Sequence, residues 1–257
     1  MPDEVYLSVV IPAYNEELNI QKGVLDKAYN YLNSKLFNTE LIIVDDESRD
    51  STPKLLDYFA LAKNNVKILH TSHGGKAFSL MKGLKAARGE IVLFIDMDQA
   101  TPITEFDKFT EFFDQGYAIV IGSRGTVRQN APFTRRLLSQ GQIVLRNIIL
   151  GFKDITDTQC GFKAYRRETI NKIVEKLYLF NPSKETHITG PAVYAGYDVE
   201  VLFVAKKLGI KVKEVPVVWN YQLSKRVSMI KDALRGIKEL ITLKLLDLQG
   251  KYKISSR

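Results

Sequence analysis

The stretch Glu90–Pro102 holds the residue pattern with the most chemical content in this 257-residue chain. An apolar run, Ile91 to Ile95, follows Gly89 and stops on Asp96 and Asp98, which stand one residue apart. Such a run reads as a strand buried on both faces, as a central parallel strand is. Carboxylates at the carboxyl end of that strand stand where open α/β sheets receive their ligands. An Asp-x-Asp there can hold a hard divalent cation against a diphosphate. Two solvated acids opening a turn before Pro102 would give the same spelling, so the remaining chain decides.

The first half supplies the elements that would position this pair. LSVVIP (7–12) and TELIIVDD (39–46) read as buried strands, VKILH (66–70) as a third, and YAIVIG (117–122) as a fifth after the 91–95 run. Between them lie helical patterns: one capped by Asn15 and running through about Lys35, and one capped by Asp50 or Ser51 with Pro53 in its first turn. Another is entered by the Gly74-Gly75 turn, and another opens at Thr104. Strands alternating with helices predict a mostly parallel central sheet with helices on both faces. Parallel strands bring their carboxyl ends to one edge. PAYNEE, DDESRDST and DMDQATP, each following a strand, should therefore meet in one acidic crevice without the G-x-G-x-x-G of a dinucleotide site. An acidic crevice suits an anionic ligand when a metal supplies the positive charge.

Downstream the pattern is less regular. Residues 123–134 read as a polar, basic loop, 135–151 as a helix, CGFKAYRR (160–167) as a strand, 198–209 as a helix closed by Gly209, and 210–219 as a bent strand or strand pair. The net charge of +8 is concentrated here: residues 122–153 carry +6, residues 224–257 carry +6, and the remainder carries −4. Patches of this kind suit phosphates or an anionic membrane surface. Neither an aromatic-interleaved RNA signature nor Cys/His finger spacing is present, which argues against nucleic acid. The single Cys160 excludes an internal disulfide. The N-terminus lacks a signal-peptide pattern, and no run reaches the roughly 18–20 apolar residues of a spanning helix.

SVVIPAYNEE, IIVDDESRDST, HGGKAFSLMKG, the strand ending in DMD, and GSR occur in the order found in family 2 glycosyltransferases, which the chain resembles. DTQCGFKAYRRE (157–168) with DVEVLFVA, VPVVWN and the SK pair resembles the dolichyl-phosphate glucosyltransferase and mannosyltransferase subgroup, and favours the glucosyltransferase branch. The resemblance spans about residues 6 to 240. It implies a GT-A fold, with a domain over 1–227 (nucleotide-binding half 1–100, acceptor half 101–227) and a basic amphipathic helix and tail over 228–257. It also implies a UDP-sugar donor and a polyisoprenyl (dolichyl) phosphate acceptor.

Position by position, the resemblance places Pro12, Ala13, Tyr14 and Glu16 in the first nucleotide-contacting loop. Asp45 becomes the acid that accepts from N3–H of uracil, and Lys76 the lysine of the Gly-Lys loop. Asp98, helped by Asp96, would hold Mg2+ or Mn2+ on the diphosphate. Ala100 stands where the mannosyltransferase pattern often has Gln. A polyisoprenyl phosphate is already charged near neutral pH and attacks without a strong base, so catalysis becomes positioning and charge neutralisation. Arg124, Arg135 and Lys225 are the expected cations for the attacking phosphate. Asp157 is expected to orient the metal or the sugar, while Asp198 and Glu200 start a helix that lines the pocket.

The expected reaction is inverting transfer of glucose from UDP-glucose to dolichyl phosphate. The alternatives are a mannosyltransferase using GDP-mannose or another UDP-sugar, and a nucleotide-sugar-binding module without turnover. The final helix, apolar on one side and basic on its flank, is expected to attach the protein peripherally to the cytoplasmic side of a membrane.

Overall fold

Successive residues of a strand point to opposite faces of its sheet, and here both faces are covered. In the computed structural model, which describes residues 4–125, 133–152, 155–180, 196–220 and 229–253, Val10, Ile42, Val44, Val92 and Phe94 pack on one side. Their neighbours Val9, Ile11, Leu41, Ile43 and Leu93 pack on the other. Full burial of each such side chain contributes about 1.5–3 kcal/mol. The continuous apolar runs are the consequence of having two cores to fill.

Among the described residues the strands are β1 (Leu7–Ala13), β2 (Thr39–Asp46), β3 (Val66–Thr71), β4 (Ile91–Phe94), β5 (Ile119–Ser123), β6 (Lys163–Arg166) and β7 (Val212–Pro216). They form one sheet in the order β3-β2-β1-β4-β6-β5-β7. β1 pairs in parallel with β2 on one side and β4 on the other, so the chain reverses its direction of travel across the sheet there. The crevice outside the ends of β1 and β4 is where such sheets bind ligands. β6 runs antiparallel between β4 and β5, while β5 and β7 pair in parallel.

The helices are α1 (Glu17–Gln21), α2 (Val24–Asn33), α3 (Thr52–Ala60), α4 (Lys76–Ala86), α5 (Asp107–Asp114), α6 (Phe133–Leu150), α7 (Arg167–Val174), α8 (Gly196–Lys207) and α9 (Met229–Leu248). A 3-10 turn, Ile103–Phe106, precedes α5. The single helix expected from Asn15 to about Lys35 is two, because Gly23 at φ 74° breaks it. Asn15 does not cap it either: its Oδ1 accepts the N–H of Arg49 at 2.8 Å, which ties the first loop to the second. Helix α7 follows β6 directly, where only a strand was expected.

Helices α6, α8 and α9 lie together against the first core, to which Leu240 and Leu243 of α9 contribute. Glu200 of α8, 0% exposed, accepts the N–H groups of Tyr178, Leu179 and Phe180 and the hydroxyl of Tyr252. A buried carboxylate this well supplied with donors is satisfied rather than strained. It ties the end of the described chain back to the core. No helix among the described residues is long and apolar enough to cross a membrane.

Candidate active site

The loops after β1 and β2 are joined by hydrogen bonds. The N–H of Asn15 donates to Ser48 Oγ at 2.9 Å, that of Glu16 to Thr52 Oγ1 at 2.8 Å, and that of Ser51 to Glu17 Oε2 at 3.0 Å. Non-glycine residues in the left-handed region sit at three strand ends: Asn15 (φ 54°), Glu47 (φ 59°) and Gln99 (φ 45°). Such conformations cost of order 1–3 kcal/mol each and gather at sites of function.

Asp45 and Asp46, adjacent at the end of β2, each meet a histidine of the third strand or the loop after it. His70 Nδ1 lies 3.0 Å from Asp45 Oδ2, and His73 Nδ1 lies 2.8 Å from Asp46 Oδ2. Asp46 also accepts the N–H groups of Gly74 and Gly75 at 2.8 and 2.9 Å, fixing the turn from which Lys76 departs. Burial pushes the Asp46 carboxyl up, against those N–H groups and His73, which favour its charge. Asp46 and His73 are candidate-site residues that no motif in the sequence singles out beside Asp45. His73 also stacks on Tyr14 at 4.6 Å between ring centroids, joining the first loop to the Gly-Lys loop.

Of the other residues expected in that first loop, Pro12 and Ala13 belong to β1, paired with Val44 and Asp45. Ala13 is buried, so its backbone is what it can offer a ligand. Glu16 accepts from the Asn19 side-chain amide at 2.5 Å.

Lys76 reaches across the crevice and its Nζ hydrogen-bonds Asp96 Oδ1. Burial lowers Lys76, but the charges of Asp96, Asp198 and Asp98 outweigh it and raise the ammonium overall. Asp98 Oδ1 accepts the N–H of Ala100 at 3.0 Å. Burial and the charge of Asp96 push Asp98 up, against Ala100 and Lys76. Carboxylates held partly out of water beside one another attract a cation.

Gly161 explains how Asp96 fits. A Cβ there would lie 1.9 Å from Asp96 Oδ2, so any side chain at 161 collides with the carboxylate. The CGF segment thus makes room for the acid at the end of β4. Among the described residues no three His, Cys, Asp or Glu side chains group as a metal site. The pair Asp96 and Asp98 fits a cation that takes its other oxygens from a diphosphate and water, as Mg2+ commonly does.

On the other side of the cleft, Arg124 and Asp157 form a two-pronged ion pair, Nε to Oδ2 and Nη2 to Oδ1, both 2.7 Å. Burial raises Asp157, but the hydrogen bonds and charge of Arg124 overcome it and hold the carboxyl at about 2. Burial likewise lowers Arg124 and is outweighed by Asp157. Trp219 lies over the guanidinium at 5.7 Å, and the N–H of Asn220 donates to Ala100 O at 2.7 Å, so the segment after β7 closes onto the Asp98 turn. Asp96, Ala100, Arg124, Gly161 and Trp219 line one pocket.

The basic stretch expected to receive phosphate is partly spent on the fold. Arg146 is buried, donating to Thr158 Oγ1 at 2.7 Å and to the carbonyls of Ile155 and Thr156, with burial lowering its pKa. Arg135 lies in α6 with its side chain outside the described residues, as does Arg136, and Lys225 and the 126–132 part of the expected loop lie wholly outside them. Lys163, 2% exposed, was not singled out in the sequence; its Nζ pairs with Asp198 Oδ1 at 2.7 Å. Its signal was a lysine flanked by apolar residues, Phe162 before it and Ala164 after it.

Residues 8–174 match the family described as Glycosyl transferase family 2. A dolichyl-phosphate beta-glucosyltransferase of Dictyostelium discoideum is 32% identical, over 99% of this chain and 78% of that protein. One of Trichomonas vaginalis is 34% identical, over 100% of this chain and 78% of that protein. Among solved structures, a mannosyltransferase of Pyrobaculum calidifontis with GDP-Man and Mn2+ superposes with a TM-score of 0.61 at 21% identity, covering 97% of this chain and 66% of that one. Glucosyl-3-phosphoglycerate synthase of Mycobacterium tuberculosis, with Mn2+, UDP and glucosyl-3-phosphoglycerate, gives 0.59 at 22% identity, covering 95% and 79%. At these identities the structural likeness is one of fold, the GT-A fold.

Proposed function

The chain belongs to glycosyltransferase family 2 and is a glycosyltransferase, and from that premise we propose that it transfers glucose from UDP-glucose to dolichyl phosphate, with inversion. The observation that carries this reading is the near-full-length likeness to enzymes named for that glucosyl transfer, which extends through both sides of the cleft.

The acceptor's phosphate oxygen forms the new bond to the anomeric carbon as the bond from that carbon to the UDP β-phosphate oxygen breaks. UDP leaves with the electron pair, and an α-linked donor gives a β-linked product. No side chain need remove a proton, because the attacking phosphate is already an anion. Mg2+ or Mn2+, held by Asp98 and Asp96, would supply positive charge to the leaving diphosphate. Asp45 would accept from the base, and Lys76 would exchange Asp96 for a diphosphate oxygen. Arg124 would present the Nη1 edge that its pair with Asp157 does not use, with Arg135 and Lys225 beside it.

Acceptor and donor would meet at a lipid surface. Ile241, Leu245 and Leu248 on α9, and Val144 and Ile148 on α6, are exposed apolar side chains on two helices in contact. With Lys238 and Lys244 nearby in sequence, they suit peripheral attachment to an anionic leaflet, which we place on the cytoplasmic side.

Purified protein given UDP-glucose, polyprenyl phosphate and Mg2+ should release UDP and form an acid-labile glucolipid. Absence of product with UDP-glucose, but product with GDP-mannose, would move the assignment to the mannosyl branch. Donor binding without turnover, with any acceptor, would favour the non-catalytic alternative.

A further inference from the structure

One imidazole on the donor side stands between two carboxylates. His70, at the end of β3, places Nδ1 3.0 Å from Asp45 Oδ2 and Nε2 3.0 Å from Asp57 Oδ1 of α3. Both neighbours are acceptors, and a neutral imidazole carries one N–H, so the full bridge requires the imidazolium. The two ends differ: the Asp45 side chain is 3% exposed and that of Asp57 is 66% exposed. Asp57 is thus a solvated anchor that orients the ring, and Asp45 is the buried group being held. The rest of Asp45 is fixed too. Its Oδ1 accepts the N–H of Ser48 at 3.2 Å, and its backbone carbonyl accepts Thr71 Oγ1 at 3.1 Å.

We propose that His70, braced by Asp57, is a positioning residue that holds the Asp45 carboxylate in the orientation from which it reads the nucleobase of a uridine diphosphate donor. This rests on the reading of Asp45 as the acceptor for uracil N3–H. A carboxylate that must meet one N–H in one direction discriminates only if it cannot swing away, and His70 removes that freedom.

The sign of the pH effect follows from the surroundings. The titratable groups facing His70 are Asp45 on β2 and Asp57 on α3; their hydrogen bonds raise its pKa from the ordinary 6.5 against the opposing effect of burial. The bridge is therefore intact below the ordinary imidazole value and is lost as pH rises through the raised one. There the second nitrogen turns a lone pair toward a carboxylate, and the ring loosens.

The test is direct binding of UDP and of N3-methyl-UDP, which lacks the N–H in question, by calorimetry from pH 6 to 8, below the range in which uracil N3–H itself ionises. The wild type should prefer UDP by at least about tenfold, the order expected when a site built to accept a hydrogen bond meets an analogue without it, and that preference should shrink as pH rises. His70→Leu should lose most of the preference at every pH. His70→Gln, which can donate one uncharged hydrogen bond to Asp45, should restore part of it with no pH dependence. Asp57→Asn, a change on the exposed surface of α3, should move the loss to lower pH. An unchanged preference in His70→Leu, or the same pH slope in wild type and His70→Gln, would overturn the proposal. Should the leucine variant not fold, an unshifted profile in Asp57→Asn would overturn it equally. Wild type that fails to distinguish the two nucleotides at any pH would instead remove Asp45 as the base reader.

Discussion

The two sides of the cleft are built on opposite economies of charge. On the β1–β2 side most carboxylates are already committed: Glu17, Asp45, Asp46 and Asp50 accept backbone N–H groups and fasten one loop to the next. Among the described residues, Asp96 and Asp98 at the end of β4 have few protein donors, namely Lys76 and the N–H of Ala100. Across the cleft the acids are paired with buried cations, Asp157 with Arg124 and Asp198 with Lys163. The difference teaches that an acid's availability to a ligand is read from its remaining hydrogen-bond capacity, not from its place in a motif. The acid-rich side is a scaffold with two acids left over. The basic side has been balanced from within.

The sharpest way to break this contrast is Asp98→Asn. If Asp98 is one of the two uncommitted acids, UDP formation should fall by at least about a thousandfold, roughly 4 kcal/mol of transition-state stabilisation, while the melting temperature holds or rises. Turnover within tenfold of wild type would show that the donor side does not depend on that carboxylate.

Next in size is Arg124→Ala, which strands a carboxylate that is 12% exposed. Removing one partner of a buried pair costs about 3–5 kcal/mol, so the urea midpoint should drop sharply. Adding Asp157→Asn should recover much of the loss, and a double variant no better than the single would mean that the pair is not balanced internally.

The same pair predicts an acid-side signature. Asp157 titrates at about 2 in the folded protein against 3.8 as reference, so its contribution is present above pH 4 and disappears as pH falls toward 2. That amounts to about 2 kcal/mol and should be missing from the stability profile of Asp157→Asn.

The smallest effect tests the bridge between the two sides. Gly161→Ala pushes a methyl into the Asp96 carboxylate and should weaken Mn2+ binding in the presence of UDP about tenfold, with secondary structure intact by circular dichroism.

The contrast also explains what could be read in advance. The placement of Asp45, Asp96 and Asp98 at strand ends was legible because buried parallel strands announce themselves as apolar runs, and parallel ends must share an edge. The insertion of β6 between β4 and β5 was not legible, since nothing local in CGFKAYRR records which strands it will join or in which direction. Gly161 was visible as part of a motif, yet its purpose is a contact with Asp96 that only the folded sheet creates. Asn15 reads as a cap because its side chain can serve a helix; it serves Arg49 instead, a competitor from another loop. Arg146 illustrates the converse. Counted with its neighbours it adds to a positive patch, and folded it satisfies the carbonyls of Ile155 and Thr156 in the segment after α6.

Glu200 sets a mechanical limit on the far end of the chain. By gripping the hydroxyl of Tyr252, four residues past α9, and the N–H groups of Tyr178, Leu179 and Phe180 at once, it fastens the segment after α9 to α8, the helix whose first turn carries Asp198. Helix α9 is thus a strut and not a tether. A surface that receives its outer residues would receive the cleft at a fixed tilt, with the angle of approach inherited from the core instead of being found by diffusion about a hinge.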